Sequence, residues 1–476
     1  EGLERENTAF CFPCQLSLGF FQNLLDKRAD YYFIPNILEM YVENECQRKD
    51  FNCTCALLTG EPLYLKQAFK DYDLKGKMLT PQLDFSKGWD SQELVFIDIA
   101  KQIGFSDEIK IKAVYKFAVK KQVEFQKELL EIGKSILKRL EDNPEEFAMV
   151  LIGRPYNSFS EFANKGIPKK FASRGIYTIP YDMLDFHNET IDDNQYWEGG
   201  KKILKSAKVV KKNPQLFSTY ISNFSCAPDS LIMNTFRTLM GTKPSLTLEL
   251  DGHTADAGIN TRIDAVLDII KNYRKLSKTI KDTDYSDFVP AQVVTENDEA
   301  FFISSEGKKI PLNDKRVLIL IPSMGELSSE MFAAMMRGLG FNAVAASEGN
   351  PDILRYGRAN TSGKECLPLI LLVGSMMDYI ENKRNEEQYF VFFIVQGAGN
   401  CRLGQYPVFI RDLIKRRRLK NVAQLILMNE DGFAGLGAKF SSRGIQALMI
   451  ADVLEDIRTA ILANSINPEK GIEIFN

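Results

Sequence analysis

The chain has 476 residues, 45% hydrophobic and 26% charged, the balance of an ordinary globular protein. Its 60 Lys and Arg face 63 Asp and Glu, and the net charge of -3 argues against a dedicated nucleic-acid binder, which needs a basic excess. Eight cysteines are too dilute for a disulfide scaffold. Two histidines, His187 and His253, leave little for a His-based metal site or a Ser-His-Asp triad, so the chemistry is expected to run through sulfur.

At roughly 150 residues per domain the length suggests about three domains, each able to bury a core. Residues 1–143 read as a Cys-bearing N-terminal portion of a first α/β domain, with long helices. There Ile109, Ile111, Val114, Phe117, Val123, Phe125, Leu129, Ile132, Ile136 and Leu140 recur among Lys and Glu at spacings of mostly two to four. That rhythm predicts an amphipathic helix or helix pair over 107–143. The run Phe147-Ala-Met-Val-Leu-Ile-Gly153 predicts a buried parallel strand, ending in the turn Gly-Arg-Pro-Tyr156. Strands at 175–179 and 245–250 and a helix at 259–273 then make 144–279 the remainder of the first domain. In 280–312, Val293-Val-Thr295 and Phe301-Phe-Ile303 flank the polar stretch 296–299, which predicts a hairpin in a linker. From 313 to 476, strands at 316–321, 342–346, 389–395 and 424–428 alternate with helices at 328–339, 351–358, 367–381 and 408–418. The expected fold is α/β: two Rossmann-like doubly wound parallel-sheet domains plus a helical segment.

The longest apolar stretch, 367–377, is broken by Pro368 and Gly374 and falls short of the ~18–20 residues of a membrane span, so no membrane partner is expected. The chain opens on Glu1 rather than Met, which reads as a fragment or a processed chain. Dilute, clustered cysteines favour a reducing cytoplasm.

Three of the eight cysteines share one pattern: Cys11-Phe-Pro13, Cys226-Ala-Pro228 and Cys366-Leu-Pro368, each before a helical segment. Proline suits the first helical turn, where its missing N–H costs nothing. The cysteine is thereby set at a helix N-terminus, whose orphan N–H groups and dipole favour a thiolate, the form that ligates metal or a cluster. The competing reading is a small buried residue beside an ordinary helix start. Cys401 lies in Gly397-Ala-Gly-Asn-Cys-Arg-Leu-Gly404, just after the 389–395 strand, where open α/β sheets gather ligands. Cys53 and Cys55 form a local pair. Cys11 and Cys14, with Cys46, Cys53 or Cys55, could instead make a tetrahedral zinc site, although that leaves Cys226, Cys366 and Cys401 without a role. A thioredoxin-like redox use of Cys11 and Cys14 lacks the preceding strand. Arg154 could meet an anion or sit in a surface turn. His253, in Asp251-Gly-His-Thr-Ala-Asp256, could donate a proton or belong to a helix-capping network with Thr254 or Asp256. His187 lies in an acidic loop and reads as solvated. No P-loop motif occurs, so no nucleotide site is expected in this chain.

These motifs resemble the acyl-CoA dehydratase activase-related proteins, in the region similar to 2-hydroxyacyl-CoA dehydratase subunits and double-cubane cluster proteins. The resemblance rests on Cys11-Phe-Pro, Asn52-Cys53, Gly153-Arg-Pro-Tyr156, Ser225-Cys-Ala-Pro-Asp229, Asp251 to Gly258, Gly363-Lys-Glu-Cys-Leu-Pro368 and Asn400-Cys-Arg-Leu-Gly-Gln-Tyr406. It runs from residue 11 to about residue 440 and implies a low-potential iron–sulfur cluster, a double-cubane 8Fe-9S or a 4Fe-4S. The implied ligands are Cys11, Cys53, Cys226, Cys366 and Cys401, with Cys14, Cys55 or Cys46 as a sixth. Cys14 departs from the family pattern, where a small non-Cys residue is expected. Arg402 and Lys364 would offset cluster charge. The implied role is to receive electrons from an ATP-hydrolysing iron–sulfur activator domain or reductase, fused or separate, and pass them to a small or acyl-CoA substrate, with a homodimer as the usual state. A non-catalytic scaffold with a structural zinc-thiolate site is the alternative.

Overall fold

The computed structural model describes residues 2–6, 11–44, 52–192, 194–276, 279, 285, 287–297, 299–385, 387–397, 401–427 and 436–476. Contacts divide the chain into two units, one built on Glu1–Thr283 and one on Asp284–Gly397 with Cys401–Asn476. Among the described residues no helix is long and apolar enough to cross a membrane.

The first unit opens with α1 (Gly2–Arg5), α2 (Phe12–Asp26), β1 (Tyr32–Phe33), β2 (Asn36–Met40), α3 (Ala56–Thr59), α4 (Glu61–Ala68), β3 (Met78–Leu79) and β4 (Gln82–Phe85). The strands pair in parallel as β1 with β3 and β2 with β4. Phe21, Tyr32, Leu65 and Phe69 pack beneath them as a small core. After α5 (Glu93–Gln102), the predicted helix or helix pair is one 35-residue helix, α6 (Glu108–Asp142), whose N-cap Asp107 accepts the Lys110 N–H. Gly133 lets α6 pass the backbone of Met183: a Cβ there would stand 1.8 Å from the Met183 carbonyl oxygen.

The sheet of this unit is built from β5 (Ala148–Gly153), β6 (Tyr177–Pro180), β7 (Leu216–Asn223) and β8 (Ser245–Leu250), all parallel in the order β6-β5-β7-β8. Between them run α7 (Pro155–Ser158), α8 (Ile167–Ala172), α9 (Glu198–Lys212) and α10 (Asp229–Met240), and α11 (Asp256–Leu276) follows β8. On one face Met149, Leu151, Phe217 and Ile221 pack on Ile167 and Phe171 of α8 and on Ile259, Ile263 and Ile270 of α11. On the other, Tyr220 meets Phe236 of α10 edge-on. Strand β7 escapes the sequence reading although it is central and wholly buried. Its Ser218, Thr219, Ser222 and Asn223 break the apolar run by which a buried parallel strand is recognised.

The second unit begins with β9 (Gln292–Glu296), β10 (Glu299–Ile303) and β11 (Lys309–Pro311). The expected hairpin is the β9–β10 pair, and β11 extends it to a three-stranded antiparallel sheet. Phe302, Ile310 and Leu312 join the core of this unit. A second parallel sheet follows from β12 (Val317–Ile321), β13 (Asn342–Ala345), β14 (Tyr389–Val395) and β15 (Val422–Leu427), in the order β13-β12-β14-β15. Met428, read as the end of that last strand, lies outside the described residues. The connecting helices are α12 (Glu326–Gly338), α13 (Pro351–Asn360), α14 (Leu367–Asn382) and α15 (Tyr406–Arg416), before α16 (Gly437–Asn464) and α17 (Pro468–Phe475). Helices α13 and α14 touch through glycines: a Cβ on Gly357 would stand 2.0 Å from Ile370 O, and one on Gly374 2.0 Å from Ile353 O.

The two parallel sheets share one topology, with the second strand outside the first and the third and fourth on the other side. Each therefore has a switch point between its first and third strands, at whose carboxyl ends ligands collect in open α/β sheets.

Candidate functional site

In the first unit the switch point lies between β5 and β7. Gly153 ends β5 with φ 148°, and a Cβ there would overlap Ser158 Oγ and Ile221 O, so the turn needs glycine. The chain then delivers Arg154 into the protein: the residue is 7% exposed, and its Nη2 donates to Asp229 Oδ1 at 2.8 Å. Asp229, the first residue of α10, also accepts from Ser222 Oγ at 2.6 Å. Burial works against the Arg154 charge, but Asp229 foremost, then Tyr156, Cys226 and Cys55, holds it, and its pKa lies well above the ordinary value. Arg154 is thus a buried cation among thiols rather than a surface turn residue.

Cys226 stands before α10, with its carbonyl accepting the Ser230 N–H at 3.1 Å and its own N–H donating to Asn223 O at 3.2 Å. The residue keeps partial exposure, yet burial of its sulfur and then the Asp229 carboxylate push its thiol up, with Arg154 pulling the other way. Cys55 contributes to the same field.

Cys11 is the N-cap of α2, with Pro13 in the first turn as the sequence predicts. Its Sγ donates to Cys14 Sγ at 3.6 Å, one helical turn on, and both residues are buried. The pair shares a proton: the Cys14 bond and then burial raise the Cys11 thiol, while the bond from Cys11 lowers Cys14. A cavity of about 190 Å3 opens on both sulfurs and on Cys55, Glu61, Tyr64 and Tyr156, with Leu16, Phe20 and Leu58 as apolar wall. Burial raises the pKa of both Glu61 and Tyr64, and Tyr64 OH shares a hydrogen bond with Ser17 Oγ at 2.9 Å. Glu61 and Tyr64 carry no motif, so nothing in the sequence pointed to them.

Cys53 and Cys55 part company. Cys53 is knitted into backbone: its N–H donates to Tyr196 O at 3.0 Å and its carbonyl accepts the Glu198 N–H at 3.1 Å, which seats the segment on the start of α9. Thr54 Oγ1 donates to Ile37 O at 2.5 Å, and Asn52 Oδ1 accepts from the fully buried Lys201 at 2.9 Å. These ties fix the segment, and Cys55 is the residue that reaches the cavity beside Cys11 and Cys14.

The second unit repeats the placement. Cys366 is the N-cap of α14, the helix that leads into β14, and Cys401 follows β14 as Cys226 follows β7. Tyr406 OH stands 2.8 Å from Cys366 Sγ. Burial and then Cys366 raise that tyrosine's pKa, Cys401 adds to the rise, and Arg402 opposes it. Cys366, Cys401, Arg402 and Tyr406 therefore share one neighbourhood. Lys364 is exposed, and its N–H donates to Glu365, whose buried carboxylate also takes the Ser362 N–H and hydroxyl.

His253 is exposed and gives its N–H to Asp251 Oδ1 at 3.0 Å, in a turn closed by Thr254 Oγ1 at 2.6 Å from the same oxygen. That turn lies beside Phe12, the neighbour of Cys11, and Lys165 donates to Thr254 O. His187 Nδ1 faces Glu43 at 3.4 Å. Cys46 lies outside the described residues. Among the described residues no three His, Cys, Asp or Glu side chains converge closely enough to hold one metal ion.

Residues 1–184 match the family model of the CoA enzyme activase uncharacterised domain. Over that stretch the chain is similar to the CoA enzyme activases, as its first cysteine motifs also suggest. The matched stretch includes Cys11, Cys14, Cys53, Cys55 and Arg154 and ends before Cys226, Cys366 and Cys401. No curated protein and no solved structure matches the chain.

Proposed function

We propose that this protein is an iron–sulfur component of the 2-hydroxyacyl-CoA dehydratase and activase type, acting in the cytoplasm. It would take low-potential electrons from an ATP-hydrolysing iron–sulfur activator domain or reductase and pass them to a small or acyl-CoA substrate. The observation that carries this reading is the repeated placement of thiols at helix starts and strand ends around both switch points, on a chain whose residues 1–184 match an activase domain.

Cys11, Cys53 and Cys226 would supply thiolates from the first unit, and Cys366 and Cys401 from the second. For the sixth place Cys55 has the best support, because it lines the cavity with Cys11 and enters the field of Cys226. A bound cluster would supply single-electron transfer at low potential, tuned by burial and by N–H donors. The chain's part would be to bury the Cys11 and Cys53 thiols, to set Cys11 and Cys366 at helix N-termini, and to hold Arg154 and Arg402 near cysteines as compensating charge. Anaerobically purified protein, reduced with titanium(III) and examined by electron paramagnetic resonance, is expected to show a one-electron iron signal. Iron-containing protein that stays silent across the whole reductive titration would overturn this role.

One observation favours the zinc alternative. Thiolates bound about 2.3 Å from a tetrahedral zinc stand about 3.8 Å apart, close to the 3.6 Å between Cys11 and Cys14. Zinc without iron in the purified protein would select that scaffold reading.

A further inference from the structure

We propose that in the metal-free chain Cys11 and Cys14 form a redox-active dithiol that closes reversibly into a disulfide, a use of sulfur that takes Cys11 out of ligation while the bridge is closed. Three Cys-x-Pro motifs begin or precede helices here, but only one carries another cysteine three residues on. After Cys226 that place is Asp229, and after Cys366 it is Leu369. A ligand role shared by the three motifs therefore accounts for Cys11 but gives Cys14 no purpose of its own within the motif.

The geometry supplies one. Residues three apart on a helix lie on the same face, one turn over the other. The two sulfurs are 3.6 Å apart and already hydrogen-bonded, so they need approach by only about 1.6 Å to reach the roughly 2.0 Å of a disulfide. Rotation about the side-chain bonds of two small residues covers that distance. Pro13 between them stiffens the turn, and the cavity of about 190 Å3 opens on both sulfurs, which admits a small disulfide.

The balance is that of thiol–disulfide exchange. Cys14 Sγ, which accepts the Cys11 hydrogen bond, attacks one sulfur of an oxidant disulfide, and the oxidant's other sulfur leaves as a thiol. Cys11 Sγ then attacks Cys14 Sγ and expels the second thiol. Two S–H bonds become one S–S bond here, and the oxidant's S–S becomes two S–H, with two electrons and two protons transferred.

Trypsin would release residues 6–27, which contain Cys11 and Cys14 and no other cysteine. The full chain, stripped of metal with a chelator under argon, is equilibrated with hydroxyethyl disulfide, quenched with a maleimide and digested. The expected result is a 6–27 peptide that loses both labels, weighs about 2 Da less through the loss of two hydrogens, and recovers both labels after dithiothreitol. The same loss is expected in Cys55→Ser. Retention of both labels while other cysteines oxidise, or a bridge from Cys14 to Cys55, would overturn the proposal. Metal content measured on the same sample before stripping tests the cluster separately, so either reading can fail alone.

Discussion

Replacing Asp229 by Asn tests the buried charge beside the thiols. The substitution keeps the shape of the side chain and an oxygen for Ser222, but leaves Arg154 as an uncompensated cation. The pair is 2.8 Å apart, with side chains 8% and 4% exposed. At an effective dielectric constant of about 20, unit charges at that distance attract by about 6 kcal/mol. That is a ceiling, and removing one member of such a pair costs about 3–5 kcal/mol. Both tryptophans, Trp89 and Trp197, belong to the first unit, so their fluorescence reports its unfolding alone. With a urea dependence of about 3 kcal/mol per molar, the midpoint falls by about 1–1.7 M. Arg154→Met with Asp229→Leu removes both charges and is expected to recover most of that loss. A shift under about 0.3 M in Asp229→Asn, or a double variant as unstable as the single one, would refute the reasoning.

Gly133→Ala reverses the usual sign of a helical glycine substitution. Alanine ordinarily gains about 1 kcal/mol inside a helix, but here its Cβ would overlap Met183 O, and overpacking costs about 1–3 kcal/mol. Tryptophan fluorescence in urea should therefore show a lowered midpoint. Gly374→Ala is expected to destabilise the second unit by a similar amount through Ile353 O; circular dichroism measures it, since that unit has no tryptophan. Arg316 lowers the Asp314 carboxyl from 3.8 to about 2. The carboxylate's stabilisation is thus complete above pH 3.8 and lost as pH falls through about 2. Between pH 4 and pH 2 the thermal midpoint of wild type should fall more steeply than that of Asp314→Asn, and parallel slopes would count against the pairing.

Much of this fold was legible because apolar runs and helical periodicity match what the sheets and long helices bury. Residues 147–153, 245–250, 316–321 and 389–395 announce themselves as strands, and α6 shows its rhythm across 35 residues. Strand β7 does not, because hydroxyl side chains occupy positions where burial predicts Val or Ile. Cys11 and Cys366 at helix starts could be read from Cys-x-Pro alone, since proline fixes the first turn, whereas Pro228 is itself the N-cap of α10 and leaves Cys226 two residues before it. The different settings of Cys53 and Cys55 could not be read that way: they depend on backbone bonds from Cys53 to Tyr196 and Glu198, more than 140 residues away. The same holds for the Arg154–Asp229 pair, which only the packing of α10 against β5 and β7 brings together.

The central claim is that these thiols hold iron and sulfide. Iron, zinc and acid-labile sulfide counted per chain in anaerobically purified protein test it most directly. The account predicts about four or about eight irons with a matching amount of sulfide. Zinc with neither iron nor sulfide would contradict it.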